Sequence, residues 1–211
     1  MLDIEIQNKK YRQKVVLNNI RFSLKTNGIY GVIGKNGQGK TTFFKCIKDL
    51  TSYDGTISYK NKPVIQNEIA WCATEPLIYD ELTALEFSEF YRNLLNIKEE
   101  TTQKLFSIDE KKLVKEFSTG MKKKAYLNAI LQKEYAIYIF DEPFNGLDLE
   151  SNYILMNYIR EISKTSIVFI SSHILEILFK NCDSIFLINN QNIEEFSKEQ
   201  FLSIEEKLFS I

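Results

Sequence analysis

The 211-residue sequence predicts one large α/β domain with a mostly parallel central sheet and an inserted helical segment. A glycine-rich loop at residues 34–42 lies between a strand-like run and a helix-like run. Residues 82–113 carry apolar side chains at helical intervals. From residue 136 onward strand and helix signals alternate, which is typical of parallel βαβ units.

Composition excludes several classes of protein. A hydrophobic fraction of 44% supports a folded core, and 27 Lys and Arg against 28 Asp and Glu leave no charge field that would attract nucleic acid. Cys46, Cys72 and Cys182 lie in apolar sequence without C-x-x-C spacing, which predicts buried thiols in a reducing compartment. The sequence contains no run of about 18 apolar residues, so no membrane-spanning helix is predicted.

The first part of the chain is rich in short strand signals. The N-terminus alternates apolar and acidic residues, which predicts an edge strand and not a signal peptide. Asp54 and Gly55 predict a turn before the last of these strands. The predicted strands comprise residues 2–6, 15–17, 20–24, 29–33 and 56–59.

The last part of the chain alternates strands with helices. Strands are predicted at 136–140, 166–170 and 184–188, with helices at 153–163 and 174–180. The tail at 193–211 is amphipathic and predicts a packing helix.

The glycine-rich loop fits the phosphate-loop pattern G-x-x-x-x-G-K-S/T. Its glycines allow backbone N–H groups to approach a β-phosphate at the positive end of a helix. Lys40 is expected to reach the β- and γ-phosphates, and Thr41 to bind Mg²⁺. The flanking strand and helix favour this interpretation over an ordinary glycine-rich turn. The nucleotide-binding candidates here are Gly34, Asn36, Gly37, Gly39, Lys40, Thr41 and Thr42.

An acidic pair ends the apolar run at 136–140. A buried parallel strand delivers its last residues to the ligand-binding edge of the sheet, so Asp141 is expected beside the phosphate loop. One carboxylate can hold Mg²⁺ and Glu142 can orient a water molecule. His173, the only histidine, follows another apolar strand to the same edge. Alternatively, these are a solvated strand end and a surface histidine.

Ser118, Thr119 and Gly120 precede a helix-like run. Ser118 or Thr119 would be an adequate N-cap in any protein. A serine hydroxyl and a glycine backbone at a helix N-terminus also form an anion site, and one that faces outward can contact a nucleotide held by another subunit. The sequence leaves both interpretations open.

Taken together, the motifs resemble the ATP-binding cassette (ABC) ATPases over nearly the whole chain. The resemblance implies a P-loop NTPase with a mostly parallel core sheet, an N-terminal antiparallel β subdomain and an inserted α-helical subdomain. It divides the single domain at 1–211 into a β and phosphate-loop part at 1–74, a helical insertion at 75–116 and the rest of the core at 117–211.

The resemblance also implies roles for particular residues. Tyr11 stands where the family has an aromatic residue that stacks on adenine, although a packed strand-end tyrosine is the alternative. Residues 118–121 look like the family signature, with Thr119 and Met121 as departures, and 145–148 look like the D-loop, with Asn145 in place of Ser or Thr. Asp141, Glu142 and His173 fall on the Walker B aspartate, the catalytic glutamate and the switch histidine.

One departure concerns the metal site. The family usually has a glutamine where this chain has Thr74, and that glutamine links the metal site to the transmembrane partner. Thr74 could bond a metal-bound water, or Glu75 could turn inward as a ligand. The sequence does not distinguish between them.

The mechanism implied by the resemblance joins two cassettes head to tail, as a homodimer or as a heterodimer with another ABC ATPase. Each ATP then lies between residues 34–42 of one subunit and 118–120 of the other. Glu142 orients or deprotonates the attacking water, while Lys40, Mg²⁺ and His173 stabilise the charge of the transferring phosphoryl group. Hydrolysis lets the two halves separate.

Two functions are compatible with this motor. The favoured one is the ATPase subunit of an exporter of peptide, antibiotic or lipid type, with separate transmembrane permease subunits, at the cytoplasmic face of the membrane. Residues 76–79 and the helical insertion would form its docking surface. The alternative is a soluble ABC ATPase that drives assembly or remodelling of a cytosolic complex. A metabolic kinase would not need the signature segment.

Overall fold

The computed structural model of the chain describes residues 1–97 and 104–209. Its strands are β1 (Leu2–Tyr11), β2 (Lys14–Leu24), β3 (Gly28–Ile33), β4 (Asp54–Tyr59), β5 (Lys62–Pro63), β6 (Ile69–Cys72), β7 (Ile137–Phe140), β8 (Ile167–Ser171), β9 (Ser184–Asn189) and β10 (Asn192–Ser197). Its α-helices are α1 (Lys40–Ile47), α2 (Ala84–Leu94), α3 (Thr119–Ile130), α4 (Leu149–Ile162), α5 (Leu175–Asn181) and α6 (Phe201–Phe209). Short 3₁₀ turns lie at Gln66–Glu68, Val114–Glu116 and Lys198–Gln200.

The core is a six-stranded sheet in the order β10-β9-β3-β8-β7-β6. Strands β6, β7, β8, β3 and β9 are parallel, and β10 runs antiparallel to β9. Every residue of β7 and β8 is buried, because each face of the sheet packs against its own hydrophobic cluster. Along β7, Tyr138 and Phe140 join one cluster and Ile137 and Ile139 join the other.

The second sheet is antiparallel, in the order β2-β1-β4-β5. The prediction that the N-terminus forms an edge strand is wrong, because β1 pairs with β2 on one side and β4 on the other. Alternating burial marks one covered face of a strand, but it does not report whether a neighbouring strand is present. The segments predicted at 15–17 and 20–24 are one strand, within which Asn19 takes a left-handed conformation.

The turn predicted at Asp54 and Gly55 is also wrong. Both residues lie within β4, where Asp54 pairs with Asn8 and Gly55 with Ile6. A Cβ atom at position 55 would lie 2.1 Å from the carbonyl oxygen of Glu5. The glycine therefore allows β4 to approach β1 closely, and it does not reverse the chain.

The helical segment is shorter than the pattern at 82–113 predicts. Helix α2 begins with a capping box formed by Thr83 and Glu86 and ends before Asn96, which has a left-handed φ of 52°. Residues 104–113 contain no helix, and residues 98–103 of the predicted helical run lie outside the described residues. Helix α2 packs on α3, where the rings of Tyr91 and Tyr126 meet edge to face at 6.0 Å.

The tail differs from the single helix predicted at 193–211. It begins as β10, which forms a hairpin with β9, and it becomes helical only at α6. Residues 210–211 lie outside the described residues. Strand β6 was not predicted, because its four apolar residues beside β7 show no alternation of polarity.

The cysteines and the helices were the subject of two further sequence predictions. All three cysteines are buried and free, as predicted. Across residues 1–97 and 104–209, no helix is both long and apolar enough to span a bilayer.

Candidate active site

Three neighbouring strands bring the predicted motifs to one edge of the core sheet. In the order β3-β8-β7, their carboxyl ends carry the phosphate loop, His173, and the pair Asp141 and Glu142. Tyr11, at the end of β1, closes the same site from the antiparallel sheet. Together they border a cavity of about 530 Å³ lined by Tyr11, Lys14, Val16, Asn36, Gly37, Gly39, Lys40, Thr41, Thr42, Thr74, Asp141, Glu142 and His173.

The phosphate loop ends where α1 begins. Gly39 is the N-cap of α1 and has a φ of 112°, a conformation that side-chain-bearing residues rarely adopt. Lys40 turns back over the loop, and its Nζ donates to the carbonyl oxygen of Gly34 at 2.7 Å. Burial lowers the pKa of Lys40, and the nearby carboxylates Glu142 and Asp141 oppose that shift. The loop thus lines the cavity together with one half-buried cation.

Asp141 is almost fully buried and is held by two hydroxyl groups. Thr41 Oγ1 donates to Oδ2 at 2.8 Å, and Ser171 Oγ donates to Oδ1 at 2.7 Å. The Thr41 hydroxyl and the Asp141 carboxylate are hard oxygen donors, which fit Mg²⁺. Among the described residues, no group of three or more His, Cys, Asp and Glu side chains could hold a metal. Nucleotide phosphates and water would have to complete the coordination.

Glu142 has an unusual backbone, with a left-handed φ of 52° that costs on the order of 1–3 kcal/mol. Its N–H donates to Ser171 Oγ at 2.8 Å, and its Oε2 accepts a hydrogen bond from the backbone N–H of His173 at 3.2 Å. The ring Nε2 of His173 lies 3.0 Å from Oε1, close enough for an ion pair. The contact between Nε2 and Oε1 does not have hydrogen-bond geometry. Within the described residues, the buried Oε1 therefore lacks a hydrogen-bond donor.

Burial raises the pKa of Glu142, and its proximity to His173 partly offsets that effect. A carboxylate whose pKa is raised accepts a proton more readily near neutral pH. The group therefore combines a fixed position, an acceptor oxygen and increased basicity. These are the properties needed to orient and deprotonate water.

Thr74 and Tyr11 form other walls of the cavity. The Thr74 hydroxyl donates to the carbonyl oxygen of Asp141 at 3.1 Å, whereas Glu75 is exposed and does not line the cavity. Of the two residues that the sequence left open, Thr74 is the one beside the candidate metal ligands. The ammonium of Lys9 lies 4.1 Å from the centroid of the Tyr11 ring, which places a cation on the ring of the proposed adenine platform.

The signature-like segment does not join the cavity in one copy of the chain. Ser118 is the N-cap of α3, and its Oγ accepts a hydrogen bond from Met121 N at 3.3 Å. Ser118 and Thr119 are exposed. Gly120 lies against the D-loop-like segment, because a Cβ atom there would be 2.6 Å from the carbonyl oxygen of Gly146.

Sequence reasoning missed two residues of the site. Ser171 bonds both Asp141 and Glu142, and its only sequence signal is a polar residue at the end of an apolar strand. Lys123 is buried and donates to the carbonyl oxygens of Glu142 and Asn145, each at 2.9 Å. In the sequence it is only one of three consecutive lysines, and no local pattern distinguishes it from its neighbours.

The chain is similar in sequence to known proteins. Residues 17–145 match a family model described as "ABC transporter". The chain is 31% identical over 200 residues to the ABC-type transporter ATP-binding protein EcsA of Bacillus subtilis strain 168, covering 87% of this chain and 81% of the relative. It is 28% identical over 205 residues to the SkfA peptide export ATP-binding protein SkfE of the same strain, covering 90% and 86%.

A solved structure described as the ATP binding subunit of an ABC transporter superposes with a TM-score of 0.85. That match has 25% sequence identity and covers 99% of this chain and 93% of the other. The predicted P-loop NTPase fold is thereby confirmed. The chain belongs to the ABC transporter family, whose ATP-binding subunits are ATPases.

Proposed function

We propose that this chain is the ATP-hydrolysing subunit of a membrane exporter of peptide, antibiotic or lipid type. It would act as a head-to-tail dimer, with an identical copy or another ABC ATPase, on permease subunits at the cytoplasmic face of the membrane. One observation carries the proposal: a single cavity joins Tyr11, the phosphate loop, Asp141, Glu142 and His173. The name of SkfE, which refers to peptide export, supports a transporter over an assembly factor.

Each part of ATP would be bound by particular residues of this chain. Tyr11 would stack on adenine, and the N–H groups of the loop with Lys40 would bind the phosphates. Thr41 and Asp141 would hold Mg²⁺, with Thr74 bonded to a metal-bound water. When bound, Mg²⁺ neutralises phosphate charge. The loop residues in contact with phosphate would be Gly34, Asn36, Gly37, Gly39 and Thr42.

The hydrolytic step would use Glu142 as proton acceptor. The oxygen of a water held by Oε1 forms a bond to the γ-phosphorus while the bond from that phosphorus to the β–γ bridging oxygen breaks. The proton of the water moves to the Glu142 carboxylate, and the bridging electron pair leaves with ADP. Lys40 and His173 stabilise the charge of the transferring group.

A second copy would complete the site. Ser118 and Gly120 are candidate nucleotide ligands, yet they lie outside the cavity at the exposed start of α3. A head-to-tail partner would bring the same residues to the γ-phosphate from the other side. The division of this single domain into a β and phosphate-loop part at 1–74, a helical insertion at 75–116 and the rest of the core at 117–211 remains part of the proposal.

The permease would dock on the helical side of the chain. Leu77 and Leu94 are 66% and 62% exposed, and Leu85 and Phe90 on α2 are also exposed. One of these exposed apolar side chains follows β6 and the other three lie on α2. Together they would form a surface suited to binding a partner.

The test of this function is affinity purification of tagged Glu142→Gln protein with ATP from detergent-solubilised membranes of its host. We expect a stoichiometric polytopic membrane protein, identified by mass spectrometry. The double variant Leu77→Ser, Leu94→Ser is expected to lose that partner, whereas Leu202→Ser, which changes an 83% exposed leucine on α6, retains it. Recovery of soluble partners alone would contradict the transporter assignment.

Replacing Tyr11 by alanine is expected to raise the KM for ATP about three- to tenfold with little change in kcat. The aromatic contact to adenine is worth about 0.5–1.5 kcal/mol, and the phosphate-binding residues are unaffected. Tyr11→Phe keeps the ring and should behave as the unmodified protein. An unchanged KM in Tyr11→Ala would show that this tyrosine is only a packed strand end.

A further inference from the structure

Lys123 lies behind the candidate active site and does not line its cavity. It sits on the second turn of α3 with only 8% of its surface exposed. Its ammonium donates to the carbonyl oxygen of Glu142 at 2.9 Å and to that of Asn145 at 2.9 Å. One cation therefore binds two backbone groups of the loop that follows β7.

The burial of this lysine is selective. Burial lowers the pKa of Lys123 to about 8, so its charged form needs hydrogen-bond partners. The adjacent lysines have other contacts: Lys122 pairs with Asp80 at 2.6 Å and Lys124 with Asp148 at 2.8 Å. The three lysines are thus not one solvated basic patch, and only Lys123 reaches the backbone of the site.

One of the two carbonyl bonds of Lys123 is to Glu142, a residue with an uncommon backbone conformation. The left-handed backbone of Glu142 is held on its N–H side by Ser171 and on its carbonyl side by Lys123. The carbonyl also accepts a long hydrogen bond from Asn145 N at 3.4 Å. This backbone sets the position from which the Glu142 side chain extends, and the N–H of His173 then holds Oε2 at 3.2 Å. A shift of the backbone would therefore displace the acceptor oxygen.

Other contacts join the same helix to the same loop. Gly120 lies against the carbonyl of Gly146 too closely to admit a Cβ atom, and Lys124 pairs with Asp148. The start of α3, which carries Ser118, is therefore packed on the segment that follows Glu142. A displacement of α3 would be transmitted to that glutamate through Lys123.

We propose that Lys123 is a positioning residue that couples the start of α3 to the carboxylate of Glu142 by fixing the backbone that carries it. The inference rests on the catalytic role proposed for Glu142. Lys123 touches neither nucleotide nor water in this mechanism. Its effect on turnover must therefore pass through Glu142.

The first test is the variant Lys123→Met, which keeps the unbranched apolar part of the side chain and removes the ammonium with both of its hydrogen bonds. We expect kcat for ATP hydrolysis to fall about tenfold or more, because a small displacement of a reacting group is sufficient for such a loss. KM for ATP should stay within about twofold, because the cavity residues are unchanged. Lys122→Met, on the preceding residue, is the matched control and should keep the original kcat.

The second test combines Lys123→Met with Glu142→Gln. If Lys123 acts through Glu142, the double variant has the same residual turnover as Glu142→Gln alone. If the losses of kcat in the two single variants multiply in the double variant, the inference is overturned. A Lys123→Met protein with a lower Tm but full kcat would also overturn it. If Lys123→Met does not fold, both measurements are made with Lys123→Gln, whose side-chain amide can still donate a hydrogen bond. The kcat of Lys123→Gln is expected to lie between that of the unmodified protein and that of Glu142→Gln.

The two proposals fail in different ways. Full turnover in Glu142→Gln would refute the catalytic role of Glu142, on which the role of Lys123 rests, whereas recovery of soluble partners alone would refute the proposed function. An inactive Glu142→Gln beside a fully active Lys123→Met would refute only the role of Lys123.

Discussion

Glu142→Gln is expected to lower the kcat for ATP hydrolysis by about 10²–10⁴-fold while ATP binding is retained. The amide has nearly the same shape as the carboxylate but cannot accept the proton of the attacking water. The anchors of the main chain, from Ser171 and Lys123, do not depend on the charge of the side chain. Steady-state phosphate release and equilibrium binding of a fluorescent ATP analogue measure the two effects separately.

The same variant is expected to accumulate as a dimer when ATP and Mg²⁺ are present, because the nucleotide that joins the two copies is not consumed. Size-exclusion chromatography with light scattering measures this. Glu68→Gln, which changes an exposed glutamate in a 3₁₀ turn, is the matched control and should turn over normally and remain monomeric. Undiminished hydrolysis by Glu142→Gln would contradict the assignment of the catalytic residue.

Lys40→Ala is expected to weaken ATP binding about 10- to 150-fold and to remove measurable turnover. Hydrogen bonds to charged groups contribute about 1.5–3 kcal/mol, which corresponds to that range of affinity. The Lys40 ammonium is bonded to the carbonyl oxygen of Gly34, inside the loop that would surround the phosphates. Titration calorimetry with ATP and with AMP separates the phosphate contacts from the base contacts.

The affinity for AMP should change little in Lys40→Ala, because Lys40 is assigned to the β- and γ-phosphates. Lys45→Ala changes a cation one turn further along α1 and is expected to leave both affinities unaltered. Equal losses for ATP and AMP would mean that Lys40 supports the fold of the loop and not the terminal phosphates.

The variants Lys40→Ala and Glu142→Gln are expected to change dimerisation in opposite directions. Lys40→Ala should prevent nucleotide-dependent dimerisation because ATP no longer binds, whereas Glu142→Gln should prolong it because ATP is no longer cleaved. Opposite effects on the same dimer would be hard to obtain from general destabilisation. Such a result would support the roles of both residues together.

The sequence was sufficient to predict features that depend on interactions within a short segment of the chain. The phosphate loop is nine consecutive residues, and its glycines, lysine and threonine act within that stretch. Strands β7 and β8 are continuous apolar runs followed by polar residues, which indicates that they are buried and that they end at the ligand-binding edge. The fold class and the cavity residues Asp141, Glu142 and His173 followed from these patterns.

Features that depend on pairing over long distances needed the tertiary structure. Whether β1 lies at an edge depends on β4, which begins more than forty residues after β1 ends. In the sequence Gly55 looks like a turn residue, and only the structure shows that it lies against the carbonyl oxygen of Glu5. Ile193 and Phe196 suit a helix, but hydrogen bonds to β9 make their segment a strand.

The same distinction holds within the site. The sequence by itself determined which residues are candidates for phosphate binding and for carboxylate chemistry, because those motifs are contiguous and their composition is restricted. Only the tertiary structure decided how Glu142 is held, through Ser171 from β8 and Lys123 from α3. Those anchors are single polar residues whose partners are backbone groups, and a backbone group leaves no trace in the sequence that could mark its partner.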